Sequence, residues 1–130
     1  MRLKHISLIV LCVCFAFTQG CRHQNEPSSG LTLAHEVSPQ PPRVGPATIV
    51  LKLNDASGTA VNGARLELEG NMSHPGMVPV FAEATEIEPG QYRATLELSM
   101  AGDWHVAVRI TLRDGRKVER QFEIKRVTSG

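Results

Sequence analysis

Two methionines and a histidine lie within six residues of one another, in the segment Met72-Ser73-His74-Pro75-Gly76-Met77. A thioether is a soft, uncharged ligand that selects monovalent copper over calcium or magnesium, and imidazole also suits copper. Met72 and His74 point the same way in an extended loop, because they are two residues apart. Pro75-Gly76 favours a turn that folds Met77 back toward them. These residue types and spacings predict a Cu(I) site.

A fourth candidate thioether, Met100, lies in the separate segment Ser99-Met100-Ala101-Gly102-Asp103-Trp104. Met100 shares the inward parity of Leu98, so ligation and core packing both remain open. The same alternative applies to Met72 and Met77, because methionine fills gaps in cores well. In that case His74 is a solvated loop residue. The copper hypothesis therefore requires these side chains to converge at one end of the fold.

The other histidines and the carboxylates give weaker signals. His23 and His35 have no soft neighbours, and His105 is expected to be solvated on the polar side of its strand. Serines and carboxylates occur without a nucleophile-elbow, P-loop or metalloprotease signature. The sequence therefore predicts a binding module and not an enzyme.

The N-terminus has the pattern of a bacterial export signal. Arg2 and Lys4 precede twelve apolar or small residues, 6–17, which end shortly before Gly20-Cys21. As a helix this run spans about 18 Å, too short for a hydrocarbon core of roughly 30 Å. Gly20-Cys21 resembles a lipoprotein processing site, although Thr18 and Gln19 depart from the usual pattern, and ordinary signal cleavage is the alternative. We predict a signal peptide at 1–20, a lipidated Cys21 with a flexible tether at 21–30, and one domain at 31–126.

Charge and cysteine content limit the partners and the chemistry. Removal of Arg2 and Lys4 with the signal leaves twelve basic residues against thirteen acidic ones, so nucleic acid is not an expected partner. Cys12 and Cys14 lie within the apolar run, and Cys21 is then the only remaining cysteine. The exported domain must therefore be stable without an internal disulfide.

Short segments of alternating polarity, separated by turn residues, fill the rest of the chain. The clearest runs from 103 to 112, with Trp104, Val106 and Val108 on one face, and Asp114-Gly115 follows as a hairpin signal. Six or seven such segments at spacings near ten residues predict an all-β, immunoglobulin-like antiparallel sandwich of about seven strands. The predicted strands are 31–38, 47–54, 64–69, 78–85, 91–98, 103–112 and 117–125.

The order of motifs resembles the YtkA-like domain family, which is similar to FixH. The motifs that carry the resemblance are Val44-Gly45-Pro46-Ala47, Asp55-Ala56-Ser57-Gly58, Val61-Asn62-Gly63-Ala64, the Met/His segment 71–77, Glu88-Pro89-Gly90-Gln91-Tyr92 and Met100-Ala101-Gly102-Asp103-Trp104. The resemblance implies an immunoglobulin-like sandwich in the cell envelope, on the periplasmic or outer face of a bacterial membrane. It also implies a role in copper-oxidase assembly or metal efflux, and it places the family's Met/His loop on Met72, His74 and Met77.

Two hypotheses follow from the residues and the resemblance together. In the first, a lipid-anchored module holds Cu(I) through Met72, His74, Met77 and Met100 for delivery or protection. In the second, a metal-free sandwich docks on a membrane transporter or an oxidase-assembly protein, and the Met/His loop is an apolar contact patch.

Overall fold

The computed structural model describes residues 30–130, which form the predicted all-β, immunoglobulin-like sandwich of seven antiparallel strands. The signal peptide, the lipidated Cys21 and most of the tether predicted upstream lie outside the described residues. Within residues 30–130, no helix is long and apolar enough to cross a membrane. The strands are β1 Thr32–Ser38, β2 Gly45–Asn54, β3 Arg65–Asn71, β4 Val80–Glu88, β5 Gln91–Leu98, β6 Gly102–Thr111 and β7 Lys117–Val127.

The strands follow the hydrogen-bonded order β1-β2-β5-β4-β3-β6-β7. β4 connects the two layers of the sandwich, because residues 80–84 pair with β3 and residues 85–88 pair with β5. One layer is therefore β1-β2-β5 and the other is β3-β6-β7. The segment between β1 and β2 contacts the residue after β7, because Val44 donates its N–H to the Thr128 carbonyl and Thr128 donates to the Pro42 carbonyl.

The core comes from one face of each of the alternating strands. Every second residue of β2, β5 and β6 is buried, as their alternation predicted. The largest fully buried side chains are Trp104 and Tyr92. Gly70 makes room for Trp104, because a Cβ there would lie 3.0 to 3.3 Å from side-chain atoms of Val80, Leu96 and Trp104. Burying a large apolar side chain contributes about 1.5–3 kcal/mol, so this core can stabilise the domain without a disulfide.

The antiparallel registers give the sandwich two distinct ends. Pairing of Thr32 with Asn54 places the start of β1 at one end, which we call the entry pole, with loops 55–64, 89–90 and 112–116. Pairing of Asn71 with His105 and of Gly102 with Val127 defines the opposite end. We call this end the Met pole, and it carries loops 39–44, 72–79 and 99–101. All four predicted ligands, Met72, His74, Met77 and Met100, lie in the loops of the Met pole.

Candidate metal site

The loop between β3 and β4 contains the turn that the sequence predicted. The Met77 N–H donates to the His74 carbonyl at 3.4 Å, and Gly76 has a φ of 79°. Proline at the second position and a glycine with positive φ at the third are the signature of a type II turn. The turn reverses the chain after His74 and thereby returns Met77 toward the body of the sandwich, where it packs half-buried against the core.

Met72 connects this loop to the beginning of β6. Its side chain is half-buried and packs against the edge of the core. A Cβ added to Gly102 would lie 2.7 Å from the terminal methyl carbon of Met72, so the thioether end rests against the Gly102 backbone. The φ of 125° at position 102 strongly favours glycine, and any larger residue there would also displace the Met72 methyl group.

A cavity that opens to solvent lies at this junction, with a volume of about 560 Å³. It is lined by Met72, Ser73, His74, Gly102, Asp103, His105, Lys125 and Arg126. Two of the four predicted ligands, Met72 and His74, thus share one cavity. Met77 and Met100 are not among its lining residues.

Met100 occupies the turn between β5 and β6 at the same pole. Its side chain is 46 % exposed, so it is not sealed in the core. Its backbone carbonyl accepts a hydrogen bond of 3.0 Å from the indole Nε1 of Trp104, which fixes the turn on the largest core side chain. The structure therefore places Met100 near the cavity end of the molecule without placing it on the cavity wall.

His105 is a cavity residue that the sequence argument passed over. It lies on the outer face of β6, as alternation predicted, but it also borders the same cavity as Met72 and His74. Its Nδ1 lies 3.2 Å from Oε1 of Glu123 on the neighbouring strand β7. No sequence signal pointed to His105 as a cavity residue, because its neighbours depend on the pairing of Asn71, His105 and Glu123.

The carboxylates around the cavity are already engaged with cations or N–H groups. Glu123 lies 2.6 Å from Nζ of Lys125, and this contact lowers the pKa of Glu123. Asp103 accepts a 2.8 Å hydrogen bond from the Arg126 backbone N–H and lies 3.9 Å from Lys125. Among residues 30–130, no three His, Cys, Asp or Glu side chains are placed to hold a metal ion together. A ligand of another type would therefore be needed for a metal site at this cavity, and Met72 is the methionine that borders it.

Exposed apolar side chains are concentrated around the Met pole. Five large hydrophobic side chains are exposed in the described part of the chain, and four of them lie in or beside the loops of this pole. Val78 is 76 % exposed and Phe81 is 68 % exposed, and the other two are Val44 and Met100. Single exposed hydrophobic residues are common on protein surfaces, whereas contiguous exposed apolar patches often mark contact surfaces.

His35 belongs to a different environment from the cavity. It lies on β1, and its ring stacks on Phe122 of β7 with a centroid distance of 4.1 Å and an interplanar angle of 19°. Burial in this seam lowers the pKa of His35, which favours the neutral ring. The contact gives His35 a packing role between the two layers and distinguishes it from the histidines of the Met pole.

Comparison with known proteins gives a family for this chain. A solved structure of murine CRIg is similar over 77 % of this chain and 98 % of that chain, with 14 % sequence identity and a TM-score of 0.45. No curated protein matches the chain. The family model described as YtkA-like matches residues 28–109, which is more than half of the chain. The chain therefore belongs to the YtkA-like family.

Proposed function

We propose that this protein is a lipid-anchored binding module of the bacterial cell envelope that holds Cu(I) for delivery or protection. The observation that carries the proposal is the cavity at the Met pole, where the thioether of Met72 and the imidazole of His74 share one solvent-open space. The nearby carboxylates are already engaged, Glu123 with Lys125 and Asp103 with the Arg126 backbone N–H, so the Met72 thioether and the His74 imidazole are the uncharged donors left to a metal. Such donors select Cu(I) over hard dications.

Met77 and Met100 are the supplementary ligands of this proposal. Both lie in loops of the pole that carries the cavity, one half-buried and the other exposed. A methionine side chain has three rotatable bonds, so its sulfur can be redirected without a change in the strands. In this proposal, the sulfur of Met77, of Met100 or of both moves toward Met72 and His74 when the metal binds.

The direction of the chain supports a role in transfer. Residue 31 enters the sandwich at the entry pole, and the ten residues of β2 separate that end from the Met pole. At about 3.4 Å per residue, the separation is roughly 30 Å. A lipid on Cys21 would therefore hold the entry pole nearer to the membrane, and the copper site would face outward to a donor or acceptor.

The decisive test is a Cu(I) titration of the envelope-purified protein in mild detergent, in competition with a chromophoric Cu(I) chelator. We expect the wild-type protein to withdraw one Cu(I) from the chelator and the double variant Met72→Ser, Met77→Ser to lose most of that affinity. The variant His35→Gln removes an imidazole that does not line this cavity and serves as the control. No competition by the wild type, or equal competition by the double variant, would refute the proposal.

The exposed apolar residues favour a second candidate function, in which the same pole docks on a membrane transporter or an oxidase-assembly protein without metal. Val78 and Phe81 would supply much of the contact area. Capture of such a partner should then survive chelation of copper and disappear in Met77→Asp, which places a charge in the contact patch. Loss of capture on chelation alone would favour the copper proposal instead.

A further inference from the structure

We infer that His105 is a second imidazole ligand of the Met-pole site, held in position by Glu123. The inference rests on the proposed Cu(I) function and extends it, because neither the spacing of the Met/His loop nor the family resemblance includes His105. It makes the site a combination of a loop, which supplies Met72 and His74, and a strand, which supplies His105.

The position of His105 on β6 brings it to the cavity that Met72 and His74 border. Asn71 of β3, His105 of β6 and Glu123 of β7 are direct neighbours across three strands. Asn71 is the last residue of β3, so Met72 and His74 follow it immediately into the loop. This register brings the outer face of β6 to the wall of the cavity that Met72 and His74 border.

The imidazole ring of His105 is oriented by its contact with Glu123. Nδ1 of His105 faces Oε1 of Glu123 at 3.2 Å, which leaves Nε2 as the ring nitrogen available to a ligand. Metal-binding histidines commonly direct their other ring nitrogen toward a carboxylate, which fixes the tautomer and the ring orientation. Glu123 is itself positioned by Lys125, whose Nζ lies 2.6 Å from Oε2. His105 is thus oriented before any metal arrives.

The two imidazoles lie on different kinds of backbone, His105 on a strand and His74 in a loop. His105 lies within a strand that is paired on both sides, with β3 and with β7. His74 lies in an exposed loop, where its own carbonyl forms the 3.4 Å bond of the turn. A strand-borne ligand gives the site a fixed point, and the loop can then bring His74 and Met72 to the metal.

The test compares His105→Gln, Glu123→Gln and the control His35→Gln in the Cu(I) competition assay on the envelope-purified protein. We expect His105→Gln to weaken Cu(I) binding at least about tenfold, as loss of a ligand should. Glu123→Gln should weaken it by about tenfold or somewhat more, the usual effect of an outer-shell partner. His35→Gln should leave it unchanged.

A second measurement does not depend on the variants. In the ¹⁵N-labelled wild-type protein, addition of Ag(I), a redox-stable substitute for Cu(I), should shift the Nε2 resonance of His105 together with a ring nitrogen of His74. If the wild type binds Cu(I) but His105→Gln binds equally well and the Nε2 resonance does not move, the inference is wrong and the proposed function stands. If the wild type does not bind Cu(I), the proposed function fails and the inference fails with it.

Discussion

The two poles of the sandwich are built from different kinds of interaction. At the entry pole, polar groups satisfy one another: Oδ1 of Asp55 accepts hydrogen bonds from the Ser57 N–H, the Ser57 hydroxyl and the Thr59 N–H. At the Met pole, a loop with one long turn bond carries the exposed His74 and Val78 and the half-buried Met72 and Met77. The entry pole is thus held by a network of hydrogen bonds, whereas the Met pole carries the residues of the proposed binding surface.

Tyr92 shows how the entry pole is closed. Its hydroxyl donates a 2.7 Å hydrogen bond to the Val61 carbonyl and accepts one of 3.1 Å from the Ala64 N–H. The ring is 1 % exposed, so a core side chain fixes the loop between β2 and β3. Gly63 of the same loop donates its N–H to Oε2 of Glu86 at 2.8 Å. No comparable network links the Met/His loop to its neighbours in the described chain.

The largest expected loss in the free energy of unfolding comes from Gly90→Ala at the entry pole. Gly90 has a φ of 73°, and a Cβ there would lie 2.7 Å from Cβ of Ala60 and 3.0 Å from the Leu53 carbonyl oxygen. Left-handed strain of about 1–2 kcal/mol and overpacking of about 1–3 kcal/mol should together lower the free energy of unfolding by at least about 2 kcal/mol. Urea denaturation measures this loss.

Gly76→Ala at the Met pole is the matched control. Gly76 has a similar φ of 79°, but its added Cβ would meet nothing within 4 Å. Only the backbone strain of about 1–2 kcal/mol should appear. Equal losses in the two variants would show that the entry pole is packed no more tightly than the Met pole.

Tyr92→Phe should have the next largest effect. Removal of the hydroxyl leaves the Val61 carbonyl and the Ala64 N–H without this partner, which should cost about 1–3 kcal/mol. Thermal or urea unfolding measures the loss. A variant as stable as the wild type would mean that water replaces the hydroxyl at no cost.

The same tyrosine makes a prediction about alkaline pH. Burial raises the pKa of Tyr92 to about 12, and the Glu86 carboxylate adds to the effect. The unfolded chain loses this proton near pH 10 and the folded chain near pH 12, so the contribution is complete below pH 10 and is lost as pH rises from 10 to 12. The decline in stability over this window should be steeper for the wild type than for Tyr92→Phe, as urea titrations at each pH would show.

The alternation of large apolar residues predicted most of the fold, because β2, β5 and β6 each bury every second side chain. β4 was harder to predict in its pairing, since it leaves one layer for the other and its register shifts between Glu86 and Glu88. Its expected inner residues, Val80, Ala82 and Ala84, are only half-buried at this junction. Alternation identifies the face of a strand but does not identify the neighbours of a strand that changes layers.

The sequence predicted that the four candidate ligands lie at one end of the fold, but it did not predict all of the residues that line the cavity. Consecutive antiparallel strands place the Met72–Met77 loop and the Met100 turn at one end, as the copper hypothesis required. His105 lies on the cavity wall because the registers of β3, β6 and β7 set Asn71, His105 and Glu123 side by side. Register depends on the pairing of distant segments and not on local propensity, so no sequence pattern predicted this residue.

A smaller effect is expected from a pair of glycines within the Met pole. Gly102 and Gly45 have φ values of 125° and 119°, so alanine at either position should cost a similar strain of about 1–3 kcal/mol. Only at Gly102 would the new Cβ displace the Met72 methyl group, which lies 2.7 Å from it. We therefore expect Gly102→Ala to weaken Cu(I) binding and Gly45→Ala to preserve it. Equal Cu(I) affinities of the two variants would show that the Met72 thioether is not part of the proposed site.

The smallest effect on stability should come from the apolar side chains exposed at the Met pole. Val78 and Phe81 leave 76 % and 68 % of their surface in contact with solvent, so Val78→Ser and Phe81→Ser remove little buried area. Each should change the free energy of unfolding by less than about 0.5 kcal/mol. Chemical denaturation measures this change, and Val106→Ser in the fully buried core provides the contrast. A loss above 1 kcal/mol in either exposed variant would show that these residues stabilise the sandwich. Unchanged stability would show that the fold does not depend on these exposed side chains, as expected for residues of a contact surface.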